Sequence, residues 1–245
     1  PPKLHSQFGT AMLQYRGDSL EFVMTRKEEY LPGNRNPKVS FASLEEDIMR
    51  RDFTINTLLL SVSGGSLQDP TRRGLKDIMD GLIRCTGDPY HSFSEDPVRL
   101  LRAIRFACLL NFQIDERCWI AIREKAPLVA SLSQPRLETE LSRIMVCVPS
   151  KSTRQSQTGE PEPGRGYRLL RESGIVAALD PGLRDHLMLL SEHSFTLLPR
   201  QLGERFGVLG ASRIREMMQA AEASWYRNPK LSPDDLINLL AEAEQ

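Results

Sequence analysis

EDPVRLLRAIRFA, residues 95–107, is the stretch that predicts most about how this chain folds. Pro97 suits the first turn of a helix, and Asp96 can cap it. Because successive helical residues are about 100° apart, one broad side of this helix is polar and a different stripe is apolar and suited to a core. The polar side carries Asp96, Arg99, Arg102 and Arg105, and the apolar stripe carries Leu100, Ile104 and Ala107.

The polar side of this helix permits two interpretations. Asp96 and Arg99 are three residues apart, so a carboxylate and a guanidinium can both point at one planar ligand. The edge of a nucleobase, with its donors and acceptors, would suit them. Alternatively, Asp96 is only an N-cap and the arginines are only a solvated face. Taken alone, the residues favour this plainer interpretation.

A second helix is predicted upstream, around RRDFTIN at residues 50–56. Ser43 followed by Glu46 is a capping box that marks its start. Apolar residues recur at roughly helical spacing from there to Leu59. The helix is therefore expected to run through RRDFTIN.

Arg50 and Arg51 in this segment are adjacent cations that could hold phosphates. The alternative is an ordinary exposed helix face. Asp47 and Arg51 are four residues apart, so an ion pair within the helix is available.

The start of the chain is predicted to form a β-hairpin over residues 8–26, with Gly17-Asp18 as its two-residue turn. Glu21 lies in the second arm, on the face opposite three large apolar residues. It could ligate a metal ion if that face lines a cleft. A cross-strand charge pair is the alternative.

These patterns together predict an α+β fold, with a small, incomplete β-sheet head followed by helices. A further hairpin is expected to turn at Gly64-Gly65, and a short helix to run from 74 to 83. The segment PSKSTRQSQTGEPEPGRG reads as a mobile insertion because it is rich in Pro, Gly, Ser and charge. The predicted units are the head at 1–90, a helical neck at 91–148, the insertion at 149–166 and a helical body at 167–245.

Composition limits the possible functions. The 245 residues include 32 basic and 32 acidic ones, so any basic surface for nucleic acid must be local. The four cysteines form no C-x-x-C pair, which argues against a zinc site and favours buried free thiols in a reducing compartment. There is no apolar run of about 20 residues to span a membrane, and glycine-rich phosphate loops are absent.

Four segments, in this order, resemble motifs of class II tRNA nucleotidyltransferases and bacterial-type poly(A) polymerases. They are RRDFTIN at 50–56, DPTRRGLKDIMDGLIRCTGDP at 69–89 with Gly74 and Asp77 in place, EDPVRLLRAIRFA at 95–107, and SQPRLETEL at 133–141 with Arg136 and Glu140 retained. The resemblance runs from about Phe8 to Met145 and continues weakly to Gly174. It implies that the head is of the nucleotidyltransferase type.

The resemblance also implies roles for individual residues. Asp96 and Arg99 would hydrogen-bond the base edge of CTP or ATP, so that protein replaces a nucleic-acid template. Arg50 and Arg51 would lie near the triphosphate, and Asp52 and Asn56 would order the ribose and the pocket. The remaining nucleotide-binding candidates are Arg102, Arg105 and Arg136.

The family reaction would be metal-dependent transfer of CMP or AMP to the 3′ end of tRNA or another RNA. Two Mg²⁺ ions would activate the attacking 3′-hydroxyl and neutralise the leaving pyrophosphate. Glu21 would be the third metal carboxylate and so a catalytic residue. The helical remainder would hold the RNA acceptor end.

The sequence departs from the family at its first motif, a glycine-rich turn and an Asp-x-Asp pair expected before Phe8. Two explanations stay open: the motif lies upstream of Pro1, or the protein has lost it. In the second case it would be a non-catalytic RNA-binding or scaffold subunit of a large ribonucleoprotein, such as an organellar ribosome or its assembly complex. CCA addition, poly(A) addition, a tRNA or ribosomal RNA partner, and a mitochondrial or cytoplasmic location all fit.

Overall fold

The computed structural model describes residues 2–5, 9–15, 18–29, 38–147, 164–193, 195–197, 199–207 and 210–243. The fold is α+β, as predicted, with short strands early in the chain and helices after them. The strands are β1 Lys3–His5, β2 Thr10–Tyr15, β3 Asp18–Val23, β4 Arg26–Glu29, β5 Lys38–Phe41, β6 Leu59–Leu60, β7 Leu67–Gln68, β8 Leu82–Ile83 and β9 Gln113–Ile114. None of the helices in these ranges has the length and apolar character needed to cross a membrane.

The first two helices lie among the strands, and the others follow β8. The helices are α1 Leu44–Met49, α2 Gly74–Asp80, α3 Pro89–Glu95, α4 Val98–Leu110, α5 Glu116–Lys125, α6 Gln134–Met145, α7 Arg165–Glu172, α8 Ile175–Ala178, α9 Pro181–Ser191, α10 Pro199–Phe206, α11 Ala211–Arg227 and α12 Pro233–Glu242. Short 3₁₀ helices at Thr54–Asn56 and Ala126–Ser131 complete the list.

The first hairpin is present, but its turn lies one residue earlier than predicted. Strands β1, β2 and β3 form an antiparallel sheet in that order. Tyr15 lies opposite Asp18, so the two residues between the arms are 16 and 17. The predicted turn at Gly17-Asp18 was wrong because Asp18 already pairs as the first residue of β3.

The capping box at the start of α1 is confirmed. The Ser43 hydroxyl accepts a hydrogen bond from the amide of Glu46 at 3.2 Å, and the Glu46 carboxylate accepts one from the amide of Ser43 at 2.8 Å. The helix ends at Met49, however, so the prediction that it continues through residues 50–56 was wrong.

Residues 50–56 leave the helix because their backbone pairs with a different segment. Phe53 is extended and forms an antiparallel bridge to Cys85. The amide of Thr54 donates to the carbonyl of Arg84 at 2.9 Å. These bonds satisfy backbone groups that would otherwise be buried without partners. Phe53 itself is a fully buried core residue.

The second hairpin is confirmed by the antiparallel pair β6 and β7, with Gly65 at φ 62° in its turn. This left-handed conformation favours glycine. The short helix predicted from 74 to 83 ends at Asp80, where Gly81 adopts φ 66°. The next two residues form β8, which runs parallel to β9.

Helix α4 begins one residue after the predicted start, with Pro97 in the N-cap position. Its apolar stripe of Leu100, Ile104 and Ala107 is fully buried, as predicted. Helix α3 before it was not predicted; the Asp88 side chain caps α3 by accepting from the amide of His91. One hydrophobic core extends from Phe53 through α4 into the later helices.

Most of the predicted insertion at 149–166, residues 149–163, lies outside the described residues. Its last two residues, Arg165 and Gly166, are buried in the first turn of α7. The helical body therefore resumes two residues earlier than predicted. The thiols of Cys85, Cys108 and Cys118 are free and buried, as predicted, while Cys147 is half-buried.

Candidate functional site

The arginine side of α4 is anchored to neighbouring elements and is not a solvated face. Arg102 pairs with Asp52 in the 50–56 segment, with its Nη2 2.6 Å from the carboxylate. Arg105 pairs with Glu140 on α6 at 2.6 Å, and both side chains are largely buried. Charge-assisted bonds of this length between elements fix orientation. Arg102 and Arg105 are therefore held by other elements, and their role in binding a ligand stays a prediction.

Asp96 lies between α3 and α4 and meets a residue from a third helix. Both of its carboxylate oxygens lie 3.0 Å from Nη2 of Arg136, which is at the start of α6. One oxygen also accepts from the amide of Val98 at 3.3 Å, so Asp96 does help to cap α4. A carboxylate offers about four acceptor positions. Since 25% of the Asp96 side chain is exposed, a ligand can reach the acceptor capacity that remains.

Arg99 lies in the first turn of α4, three residues after Asp96. Its Nη2 donates to the carbonyl of Arg50 at 2.7 Å. Its Nη1 donates to the hydroxyl of Ser92 at 3.0 Å and to Glu95 at 2.9 Å. Arginine has five N–H donors. Among the described residues the Nε–H of Arg99 has no partner, so a planar acceptor edge can be bound there.

The 50–56 segment is organised by buried carboxylates. Asp47 accepts from Arg50 at 2.6 Å and from Arg51 at 3.0 Å, so the ion pair predicted as an alternative is present. Asp52 accepts from the side-chain amide of Asn56 at 3.0 Å as well as from Arg102. The two arginines are therefore oriented by one carboxylate and do not extend freely into solvent.

A second buried network, of hydrogen bonds and ion pairs around Asp77, contacts the 50–56 segment. Asp77 is only 3% exposed and accepts from the Thr54 hydroxyl at 2.6 Å. Arg84 bonds Asp77 and also Asp115, at 2.6 Å from the latter. Burial acts to lower the pKa of Arg84, but the hydrogen bond to Asp77 and the charge of Asp115 raise it above its ordinary value. Reasoning from the residues missed this network, because its members are far apart in sequence.

Gly74 lets α2 approach this segment closely. A Cβ atom on Gly74 would lie 2.7 Å from the carbonyl oxygen of Thr54, a distance that real contacts do not reach. The first residue of α2 therefore has to be glycine for Asp77 to reach Thr54.

A cleft of about 350 Å³ opens between α4 and α6 beside these residues. Its size is in the range of small-ligand sites. It is lined by Val98, Arg102, Pro135, Arg136, Thr139 and Glu140. The cleft thus brings together residues of the 95–107 and 133–141 segments, including the two arginines Arg102 and Arg136.

Glu21 is apart from this network. It is exposed on β3, opposite Met12. Within the ranges that the structure describes, no group of three or more His, Cys, Asp or Glu side chains could hold a metal ion. The role of Glu21 as a metal ligand therefore stays a prediction.

Comparison with known proteins gives two family matches within the chain. The family described as "Poly A polymerase head domain" matches residues 2–84. The family described as "Probable RNA and SrmB- binding site of polymerase A" matches residues 111–153. Together the two matches cover about half of the chain, and the site residues of α4 lie between them.

Two curated relatives have similar sequences. The mitochondrial CCA tRNA nucleotidyltransferase of Saccharomyces cerevisiae is 36% identical over 148 residues, which are 59% of this chain and 27% of the relative. A CCA-adding enzyme of a Geobacillus species is 36% identical over 209 residues, 83% of this chain and 48% of the relative. The chain thus spans between about a quarter and a half of the length of these relatives.

The fold is also similar to that of a solved structure. The CCA-adding enzyme of Bacillus stearothermophilus in complex with CTP matches 95% of this chain and 59% of its own, with a TM-score of 0.62 and 24% identity. At this identity the match concerns the fold.

Proposed function

Because this chain belongs to the family of class II tRNA nucleotidyltransferases and bacterial-type poly(A) polymerases, we propose that it binds CTP or ATP and adds the nucleotide to the 3′ end of an RNA. The observation that carries the proposal is the pair of Asp96 and Arg99 at the start of α4, where Asp96 bonds Arg136 from the lining of the α4–α6 cleft. Each is anchored by a different element, and each retains hydrogen-bonding capacity.

The chemistry of this pair selects among bases. Cytosine and adenine both present an amino donor next to a ring-nitrogen acceptor. A carboxylate accepts from the amino group while a guanidinium donates to the ring nitrogen. Uracil and guanine present the opposite order at the corresponding edge. Asp96 and Arg99 therefore favour CTP and ATP over UTP and GTP.

We assign the other arginines of the site either to binding the phosphates or to holding neighbouring side chains in place. Arg50 and Arg51 are partly exposed and already oriented by Asp47, so we assign them to the triphosphate. Arg102 lines the cleft and holds Asp52 in place, and Asp52 in turn holds Asn56 near the sugar. This preorganisation lowers the cost of ordering the nucleotide.

Arg105 and Arg136 act mainly by positioning. Arg105 is largely buried against Glu140, which fixes α6 on α4. Arg136 holds the carboxylate of Asp96 and is itself half-exposed at the cleft. Both residues therefore keep the base-binding edge in place.

The proposed substrate is the 3′ end of tRNA, with ribosomal RNA or a ribonucleoprotein-bound RNA as alternatives. Mg²⁺, when bound, would supply charge neutralisation for the leaving pyrophosphate. Glu21 is the carboxylate that we propose as a ligand for this ion. A mitochondrial or cytoplasmic location is proposed with the RNA substrate.

Nucleotide binding tests the site directly. Calorimetry should show CTP and ATP binding more tightly to the purified chain than UTP and GTP. Asp96→Asn should lower CTP affinity by about 5- to 150-fold, because a bidentate base contact contributes about 1–3 kcal/mol. Arg117→Ala, which removes an exposed arginine on α5, is the matched control. Equal affinity for all four nucleotides, or unchanged CTP affinity in Asp96→Asn, would refute the placement.

An RNA extension assay tests the activity. The chain is given tRNA that lacks its 3′ end, with Mg²⁺ and labelled CTP or ATP separately. Addition of C residues and then a single A would identify CCA addition, and a long A tail would identify poly(A) addition. Bound RNA and nucleotide without incorporation would instead favour a non-catalytic RNA-binding subunit.

A further inference from the structure

Cys85 and Cys118 form a pair of thiols that the proposed reaction does not use. Cys85 follows β8 and bridges Phe53, while Cys118 lies in the first turn of α5. The backbone amide of Cys85 donates to the sulfur of Cys118 at 3.3 Å. The two residues are 33 positions apart, so the fold alone brings them together.

The two thiols are also hydrogen-bonded to each other. The Cys85 thiol donates to the sulfur of Cys118, which raises the pKa of Cys85 and lowers the pKa of Cys118. The position of Cys118 in the first turn of a helix favours a negative charge there as well. Cys118 is therefore the thiol that more readily becomes a thiolate, the form that reacts.

We propose that Cys85 and Cys118 are a redox-responsive site that a peroxide converts into an intramolecular disulfide. The Cys118 thiolate attacks one oxygen of hydrogen peroxide, the O–O bond breaks, and a sulfenic acid forms; the released hydroxide takes up the proton that Cys118 lost and becomes the first water. The sulfur of Cys85 then attacks the sulfenic sulfur and loses its proton, and the second water leaves as the S–S bond forms. Two thiols are oxidised by two electrons while one peroxide is reduced to two waters.

Burial determines which oxidant reaches the pair. The exposed fractions are 3% for Cys85 and 1% for Cys118. A small neutral peroxide can enter during local opening, whereas a bulky disulfide reagent requires much larger opening.

The other two cysteines provide an internal control. Burial raises the pKa of Cys108 to about 11 and that of Cys147 to about 12. At neutral pH both are thiols with little thiolate, so they react slowly with peroxide. Oxidation should therefore be selective for one pair out of the four cysteines.

The pair is linked to the proposed nucleotide site through one side chain. The Ser92 hydroxyl bonds the sulfur of Cys85 and also accepts from Nη1 of Arg99 at 3.0 Å. When the Cys85 sulfur turns to bond Cys118, Ser92 loses this partner and its hold on Arg99 weakens. This consequence rests on the proposed function, whereas formation of the disulfide does not.

The test treats the whole chain with hydrogen peroxide, denatures it, alkylates the remaining thiols and maps the peptides by mass spectrometry. We expect a dithiothreitol-reversible peptide pair joining Cys85 to Cys118, with Cys108 and Cys147 still alkylated. Cys108→Ser should behave as the wild type, and Cys118→Ser should form no such link, with circular dichroism confirming that both variants fold. Full alkylation of all four cysteines, or a bond between other pairs, would overturn the proposal.

Calorimetry on the same samples tests the link to Arg99. The oxidised wild type should bind CTP about 2- to 10-fold more weakly than the reduced protein, as expected for one weakened hydrogen bond. A disulfide with unchanged CTP affinity would refute the link and leave the thiol site standing. A reduced protein that binds no CTP would refute the proposed function, and the peptide map would still decide the thiol site.

Discussion

Replacing Arg165 by alanine is expected to destabilise the helical part of the chain by about 3–4 kcal/mol. Arg165 is 8% exposed and donates three hydrogen bonds to the end of α4. These run to the carbonyls of Ala107 at 3.1 Å and Phe112 at 2.6 Å, and to the side chain of Asn111 at 2.6 Å. The cation also lies where the negative end of the α4 dipole favours it.

The magnitude follows from these contacts. A hydrogen bond to a charged group contributes about 1.5–3 kcal/mol, so three would sum to more than 4 kcal/mol if they were additive. Water that enters the space left by Arg165 rehydrates part of the freed carbonyls, which reduces the loss.

The assay is urea unfolding followed by far-UV circular dichroism, together with thermal unfolding. A loss of 3–4 kcal/mol lowers the midpoint temperature by about 6–16 °C for a chain of this size. Arg168→Ala on the same helix is the matched control. Its ion pair with Glu172 is exposed, so the variant should lose less than about 1 kcal/mol.

A double-mutant cycle with Asn111→Gly then isolates one contact. Asn111 has φ 53°, and glycine keeps that left-handed conformation while it removes the side chain. The coupling energy with Arg165→Ala should be about 0.5–3 kcal/mol. A loss of under about 1 kcal/mol in Arg165→Ala, or no coupling, would refute the reasoning.

Three further changes test other contacts. Gly166→Ala should cost about 1–3 kcal/mol in thermal unfolding, since the new Cβ would lie 2.7 Å from the carbonyl oxygen of Ile144; an unchanged midpoint would contradict this packing. Glu140→Ala should cost about 3–5 kcal/mol in urea unfolding by leaving Arg105 buried and unpaired, and the joint change to Leu and Met should recover most of it. Burial acts to raise the pKa of Asp69, but hydrogen bonds from backbone amides and a hydroxyl lower it below 3.8. Its stabilisation is therefore complete above about pH 4 and lost as the pH falls through the lowered pKa, so the stability gap to Asp69→Asn should close in acid; a gap independent of pH would exclude this.

Local signals in the sequence predicted many of the elements. The capping box at Ser43, the glycine turn at Gly65 and the buried stripe of Leu100 on α4 each depend on neighbouring residues alone, and all three are confirmed. The α+β class and the family also followed from the order of short segments.

Predictions that depended on distant residues were less accurate. The helix was extended through residues 50–56 because the apolar spacing cannot distinguish a helix from a strand-like segment that pairs with Cys85. The hairpin turn was displaced by one residue because register depends on the pairing of both arms. Arg165 was assigned to the insertion because the residues before it are mostly polar. Its hydrogen-bond partners lie more than 50 positions earlier, so the neighbouring residues do not indicate that it is buried.

The sequence by itself determined that a carboxylate and a guanidinium, those of Asp96 and Arg99, stand three positions apart at the start of a helix. The tertiary structure decided how they are held: Arg136 from α6 fixes the carboxylate, and the backbone of Arg50 fixes the guanidinium. These contacts span 40 and 49 positions of sequence. The helical period acts over a few residues, whereas contacts across such separations form only when a shared core brings the elements together.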